Sequence, residues 1–369
     1  MNGPIIQSRL DTDFYKFTMG QFVFHRYPGV QVKYAFKNRT SVVKLTDWIP
    51  EMELREELDH LMRIHFLDDE IVYLGSIKVN DTRIFTDDYL EFLKNLKKLP
   101  QYVLEKRSSE YMLEFPGLRS ETIYWETPAL AVVNELYYQN RLKGFSKLER
   151  ALVVEEGRRR LLDKIKRVRK YQEAGIIEFG TRRRLGRIWQ DTGVVKTIKE
   201  ELPLGQFLGT SNVYLAKKHG LKPMGTVAHE EGMALAALMS DTNEHLRDSQ
   251  NRVLQEWEAE YAPNLLIALT DTFGSKFFFE DMTGEQAERW TGLRQDSGDP
   301  IAFGKAAIKF YERHGIDPKT KTIVFSDGLD VETIIKLHKT FRDRTKTVFG
   351  WGTNLTNDLG FKPLSLVIK

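Results

Sequence analysis

From residue 176 onward one pattern repeats: a short apolar run ends in a polar cluster, and a helix-spaced segment often follows. Residues 176–179 run into Gly180, Thr181 and Arg182. Residues 207–208 run into Gly209, Thr210, Ser211 and Asn212, and 224–228 into His229 and Glu230. Residues 265–269 lead to Thr270, Asp271 and Thr272, and 291–293 to Arg294, Gln295, Asp296, Ser297, Gly298 and Asp299. Residues 322–325 lead to Ser326, Asp327 and Gly328, and 347–349 to Gly350, Trp351, Gly352 and Thr353. Helical spacing follows at 233–239, 300–314 and 331–341. A strand covered on both faces reads as a short apolar run, so strand, polar loop and helix in repetition predict a parallel α/β structure. Strand ends that all carry chemistry-capable residues predict a barrel, in which those ends gather on one face. An open doubly wound sheet concentrates its ligand residues near one switch point instead.

Before residue 176 the pattern is mixed. Residues 30–36 alternate as a strand does, 89–99 have helical spacing ended by Pro100, and 147–171 form a long charged helix or helix pair. The expected organisation is an N-terminal α+β domain over 1–118, joined by a last strand at 362–369, and an α/β barrel over 119–361.

Length and charge narrow the classes. The 369 residues, 41% hydrophobic, suffice for a large barrel with an accessory domain. Lys and Arg number 55 against 52 Asp and Glu, so the net charge of +3 makes no global case for nucleic acid or an anionic membrane. The basic stretch with Arg158, Arg159, Arg160, Lys164, Lys166 and Arg167 is interspersed with Glu149, Glu155, Glu156 and Asp163, which reads as a solvated helix face rather than an RNA site. The absence of cysteine removes disulfides, thiolate zinc sites and cysteine nucleophiles. Residues 1–10 do not read as a signal peptide, and runs such as 265–269 are far short of a membrane span; a cytoplasmic protein is expected.

Several strand-end clusters carry candidate chemistry. Gly350 to Leu355 begins like a dinucleotide fingerprint, but Leu355 stands where the third glycine belongs; Gly298 to Ala306 resembles a P-loop without its hydroxyl. Gly350 and Gly352 can still offer backbone N–H groups to a phosphate. His229 lacks a second histidine at metalloprotease spacing, which leaves an acid, base or nucleophile, or a histidine merely hydrogen-bonded in a loop. Asp296 and Asp327 at loop ends suit ribose hydroxyls or Mg²⁺, whereas Asp299 and Asp330 read as helix caps. Of Arg182, Arg183 and Arg184, one is expected to point inward and the others to the surface or an interface.

Five motifs in order then carry a resemblance. Asp11 to Met19, Glu178 to Arg183, Gly209 to Asn212, Gly225 to Glu230 and Arg294 to Asp299 are together similar to the nicotinate phosphoribosyltransferase family. The resemblance implies an irregular parallel α/β barrel with an N-terminal mixed domain, a homodimer with shared active sites, and nicotinate, phosphoribosyl pyrophosphate, ATP and Mg²⁺ as ligands. It implies that Phe179 and the partner subunit's Tyr15 sandwich the pyridine ring, with Arg182 near the ring and the partner subunit's Arg39 at the phosphoribosyl site. By the same match Arg294, Asp296, Asp327 and Gly328 hold ribose and pyrophosphate, and Gly350, Gly352 and Thr353 the 5′-phosphate. His229 is the transiently phosphorylated histidine, and Asp271 orients it.

Family members carry a smaller aliphatic residue at the position of Trp351 and continue past residue 369 with a further strand and a Lys-rich segment. In related nicotinamide enzymes an aspartate matches Ser211. Two like charges about 4 Å apart repel by roughly 4 kcal/mol at an effective dielectric near 20, so an aspartate there rejects a carboxylate substrate. Ser211, beside Thr210, is therefore expected to donate to the nicotinate carboxylate, with Arg182 as counter-charge. A non-catalytic binder of phosphorylated metabolites on the same barrel, or a nicotinamide enzyme, is the alternative.

Overall fold

A computed structural model describes residues 3–369. Helix α1 (Phe14–Arg26) is buried from Phe14 through Val23. A helix covered all round lies between two bodies rather than on a surface. Its polar side chains find partners on both sides: Lys16 on Glu230 and Glu126, Thr18 on Thr226, Gln21 on Ile84 and Thr86. Strand β1 (Gln31–Asn38) follows, then α2 (Asp87–Asn95), β2 (Val103–Arg107) and β3 (Glu110–Leu118). Helix α2 ends short of the predicted Leu99. The chain turns inward at Leu96, buries Leu99 and donates the Leu99 N–H to the Met62 carbonyl at 3.0 Å.

Helix α3 (Glu126–Arg141) leads into α4 (Lys147–Val168), a single helix opened by a capping box between Ser146 and Glu149. Four of its basic residues are paired: Arg159 and Arg160 on Glu156, Arg160 and Lys164 on Asp358, Arg167 on Glu332.

The barrel staves are β4 (Gly175–Glu178), β5 (Phe207–Thr210), β6 (Ile267–Leu269), β7 (Gly292–Gln295), β8 (Thr322–Phe325) and β9 (Lys346–Trp351). They form a parallel six-stranded sheet ordered β5-β4-β9-β8-β7-β6. Helices α5 (His229–Leu238) and α6 (Asn243–Tyr261) lie between β5 and β6 in the chain; α7 (Pro300–Arg313) and α8 (Val331–Phe341) follow β7 and β8. Asp299 and Asp330 cap α7 and α8 through their side chains. The last strand, β10 (Leu366–Ile368), returns to pair with β1 in the antiparallel sheet β10-β1-β3-β2.

The expected seventh stave, 224–228, is not a ladder strand. Pro223 makes one parallel bridge to Thr210, and Met224 donates to the Thr210 carbonyl at 2.9 Å. Pro223 has no N–H to give, and Gly225 sits at φ 146°, so the segment closes the gap between β5 and β6 without a regular register.

Candidate active site at the open end of the barrel

The strand ends surround a cleft of about 670 Å³, lined by Phe179, Arg182, Arg183, His229, Asp271, Arg294, Asp296, Asp327, Gly328, Gly350, Gly352 and Thr353. At its inner end a small recess is walled by Asp13, Tyr15, Glu126, Phe179, Arg182, His229, Glu230 and Asp296. Phe179 leaves β4 with its N–H on the Trp351 carbonyl at 2.9 Å. Glycines keep the ring clear. A Cβ on Gly350 would lie 3.2 Å from Ser326 Cβ and 3.6 Å from the Phe179 ring, and one on Gly225 would lie 3.3 Å from the Tyr15 nitrogen. Trp351 is buried and stands outside the cleft lining, so its bulk does not narrow the cleft.

Within the single chain, Tyr15 lines the recess and Arg39 the cleft. The physical reason is the docking of the N-terminal segment. Phe14 N–H donates to the Ser211 carbonyl at 2.7 Å, Asp13 bridges Asn212, and the Asp11 carboxylate takes both terminal nitrogens of Arg184 at 2.7 and 2.9 Å.

Arg294 is the hub of the charged wall. Its Nε donates to Ser326 Oγ at 2.9 Å and its terminal nitrogens reach the Val227 carbonyl at 3.2 Å and Asp296 at 3.2 Å; its guanidinium lies 5.8 Å from the Phe179 ring centroid. Asp296 also accepts from Ser326 Oγ at 2.7 Å and meets His229 Nε2 at 3.1 Å. Burial alone would raise the Asp296 pKa, but Arg294, the bonds from His229 and Ser326, and Arg182 hold it far below the usual carboxylate range. His229 Nδ1 meets Thr272 Oγ1 at 3.1 Å. The imidazole is therefore oriented by Asp296 and Thr272 rather than by Asp271, which accepts from the Ser297 hydroxyl. An ionised carboxylate can only accept, so Nε2 donates to Asp296; in the neutral imidazole the Nδ1 lone pair then faces the Thr272 hydroxyl.

The other expectations divide. Arg182 and Arg183 both line the cleft, and Arg184 is fully buried on Asp11; none of the three is a surface residue. Burial, then the charges of Arg182 and Arg39, push Arg183 down to about 10. Ser211 and Thr210 are buried and do not line the cleft. Ser211 Oγ donates to Asp13 at 2.6 Å, and the Thr210 hydroxyl goes to Glu178. The single hydroxyl proton of Ser211 is spent, so it does not donate to a ligand. Asp13, thus held, is the group that lines the recess; burial raises its pKa against the bond from Ser211 and the charge of Arg182.

Residues 175–369 match the nicotinate phosphoribosyltransferase (NAPRTase) family, and residues 10–134 match its N-terminal domain. The chain belongs to the nicotinate phosphoribosyltransferase family. A structure of nicotinate phosphoribosyltransferase from Vibrio cholerae is similar at 33% identity with a TM-score of 0.87, over 100% of this chain and 86% of that one. One from Porphyromonas gingivalis is similar at 30% identity and 0.86, over 99% and 90%. A putative member from Saccharomyces cerevisiae is similar at 29% and 0.84, over 100% and 91%.

Within this family site, reading the residues missed Glu126, Glu230, Thr272, Arg183 and Lys369, all of which line the cleft or its recess. Thr272 and Arg183 were one residue from assigned positions, and only side-chain direction separates them. Glu126 opens a helix far from any strand end, and nothing in the local pattern marks it.

Proposed function

We propose that the chain joins nicotinate to C1 of phosphoribosyl pyrophosphate, forming nicotinate mononucleotide and releasing pyrophosphate, with ATP hydrolysis coupled through transient phosphorylation of His229. This is the entry of nicotinate into NAD salvage. The observation that carries it is one cleft in which two aromatic rings and Arg182 close the inner end while Arg39, Arg183 and the Gly350–Gly352 turn line the outer end.

The pyridine nitrogen displaces pyrophosphate, so positive charge grows on the ribose as negative charge grows on the leaving group. Phe179 and Tyr15 supply faces for the ring, and Arg182 offers the counter-charge to the carboxylate. Arg294, fixed by Asp296 and Ser326, needs no reorganisation to meet developing negative charge. Asp327 lies where a carboxylate can face the ribose; burial and its neighbours Asp296 and Asp271 raise its pKa, a repulsion that a cation relieves. Asp271 Oδ1 is buried without a hydrogen-bond partner. Asp271 and Asp327 thus fit a magnesium ion that also binds substrate phosphates, an arrangement with few protein ligands; bound there, the ion would neutralise pyrophosphate charge. Among the described residues no cluster of three or more His, Asp or Glu side chains forms a metal cage of its own. Phosphoryl transfer to His229 uses the Nδ1 lone pair, while Asp296 stabilises the imidazolium through Nε2.

Homodimer assembly and a cytoplasmic setting belong to the same proposal; among the described residues no helix is long and apolar enough to cross a membrane. The test is an assay of the purified chain with nicotinate, nicotinamide and quinolinate, each with and without ATP. Nicotinate turnover raised by ATP, with an acid-labile and base-stable phosphoenzyme, is expected. Preference for either other base overturns the reading.

A further inference from the structure

Four side chains form an unbroken chain of charge from the recess to the first turn of α5. Arg182 Nη1 lies 3.9 Å from Glu126 Oε1. The other Glu126 oxygen is paired with Lys16 Nζ. Lys16 Nζ donates to both Glu230 oxygens at 2.8 Å. Glu230 directly follows His229, the first residue of α5. Lys16 has no exposed side-chain surface, and Glu126 and Glu230 are nearly covered. The next acid, Glu231, is locked by Arg119 in a buried two-pronged pair at 2.9 and 2.7 Å.

The charges do not balance within Lys16, Glu126 and Glu230: two acids share one ammonium, and Arg182 offsets the excess. Arg182 also lines the recess, with Arg294 and Lys369. A ligand carboxylate entering there competes with Glu126 for Arg182. Glu126 then has only Lys16 left, and the Lys16 bond to Glu230 must weaken in exchange. Glu230 carries a negative charge beside a histidine that is to hold a phosphoryl group, so how fully Lys16 neutralises it alters the stability of that phosphoryl group. Helix α5 has no side-chain cap at Ala228, so these pairs add to the bonds of His229 in holding its first turn.

We propose that Lys16, with Glu126, is a positioning relay through which occupancy of the base recess by a carboxylate controls turnover of the phosphoryl group on His229. The relay rests on the phosphohistidine reading above. Lys16 touches neither ring substrate nor phosphate in this role; it acts through Glu230.

The experiment measures phosphoenzyme hydrolysis in the full chain at saturating phosphoribosyl pyrophosphate, with and without nicotinate. In the wild type, nicotinate is expected to change the rate at least about tenfold. Lys16→Met and Glu126→Gln are each expected to shrink that response to less than about twofold, and Lys16→Arg to retain most of it. Glu126→Gln keeps the shape of the side chain, so the test stands even where Lys16→Met does not fold. A wild type that responds together with variants that respond equally overturns the relay alone. A wild type that forms no phosphoenzyme overturns the His229 reading and the relay with it.

Discussion

The recess and the outer cleft are adjacent but electrostatically opposite. In the recess most strong charges have an internal partner: Arg182 with Glu126, Lys16 behind it with Glu126 and Glu230, Asp13 with Ser211. In the outer cleft, among the described residues, Arg39 and Arg183 have no ion pair, Arg183 Nε is buried without an acceptor, and the pKa of Arg183 is lowered by its burial and then by the charges of Arg182 and Arg39. A folded protein holds like charges together only when something else gains from it. The outer cleft is stressed in the free protein and relaxed by a polyanion. The recess is relaxed already, and under the proposed function it would select a small ring by shape and by exchange of a single acid.

The largest test falls on Asp296, which stands where the two regions meet. Asp296→Ala frees Arg294 and His229 together and is expected to lower kcat/KM on the order of a thousandfold. A loss under about tenfold would mean that Arg294 is held by Ser326 and Val227 without it. Next, Arg183→Met is expected to raise the KM for phosphoribosyl pyrophosphate by roughly 10- to 100-fold, with nicotinate KM little changed and no fall in Tm, because it removes a repelling charge. A matching rise in nicotinate KM would erase the distinction between the regions.

Ser211→Ala should do the opposite. It leaves a buried Asp13 oxygen without its donor, costs about 1–3 kcal/mol of stability, and weakens nicotinate more than phosphoribosyl pyrophosphate. Thermal melting and paired KM measurements read both. The smallest effect is in pH. The folded pKa of Asp296 lies below its ordinary 3.8, so its stabilising contribution is complete above 3.8 and is lost as pH falls toward the depressed value. The Tm difference between wild type and Asp296→Asn should be flat from neutral pH down to about 5 and narrow below about 4. A difference that narrows near neutrality would point to another group.

Much of the barrel was legible because a strand buried on both faces must be apolar and its first solvent-facing residue polar. That rule alone brought Asp271, Arg294, Asp296 and Asp327 to one rim. It failed at 224–228, where apolar character persisted but Pro223 and Gly225 broke the ladder. Residue type was also informative for the caps: Asp299 and Asp330, each just before a helical pattern, are bound by backbone N–H groups of α7 and α8.

Partnerships across the chain were a different matter. Ser211 was read as a donor to substrate, but its proton goes to Asp13, 198 positions away; His229 was given to Asp271, but Asp296 and Thr272 hold it. Periodicity reports which face a residue occupies, a property of its own neighbours in sequence. It carries nothing about rotation of a side chain within that face, or about which distant segment docks there. By itself the sequence determined most of the strand-end groups at the barrel mouth, because burial sorts residues by polarity. Only the tertiary structure decided which of them are already paired and which are left for a ligand, because a hydrogen bond depends on positions within a few tenths of an ångström.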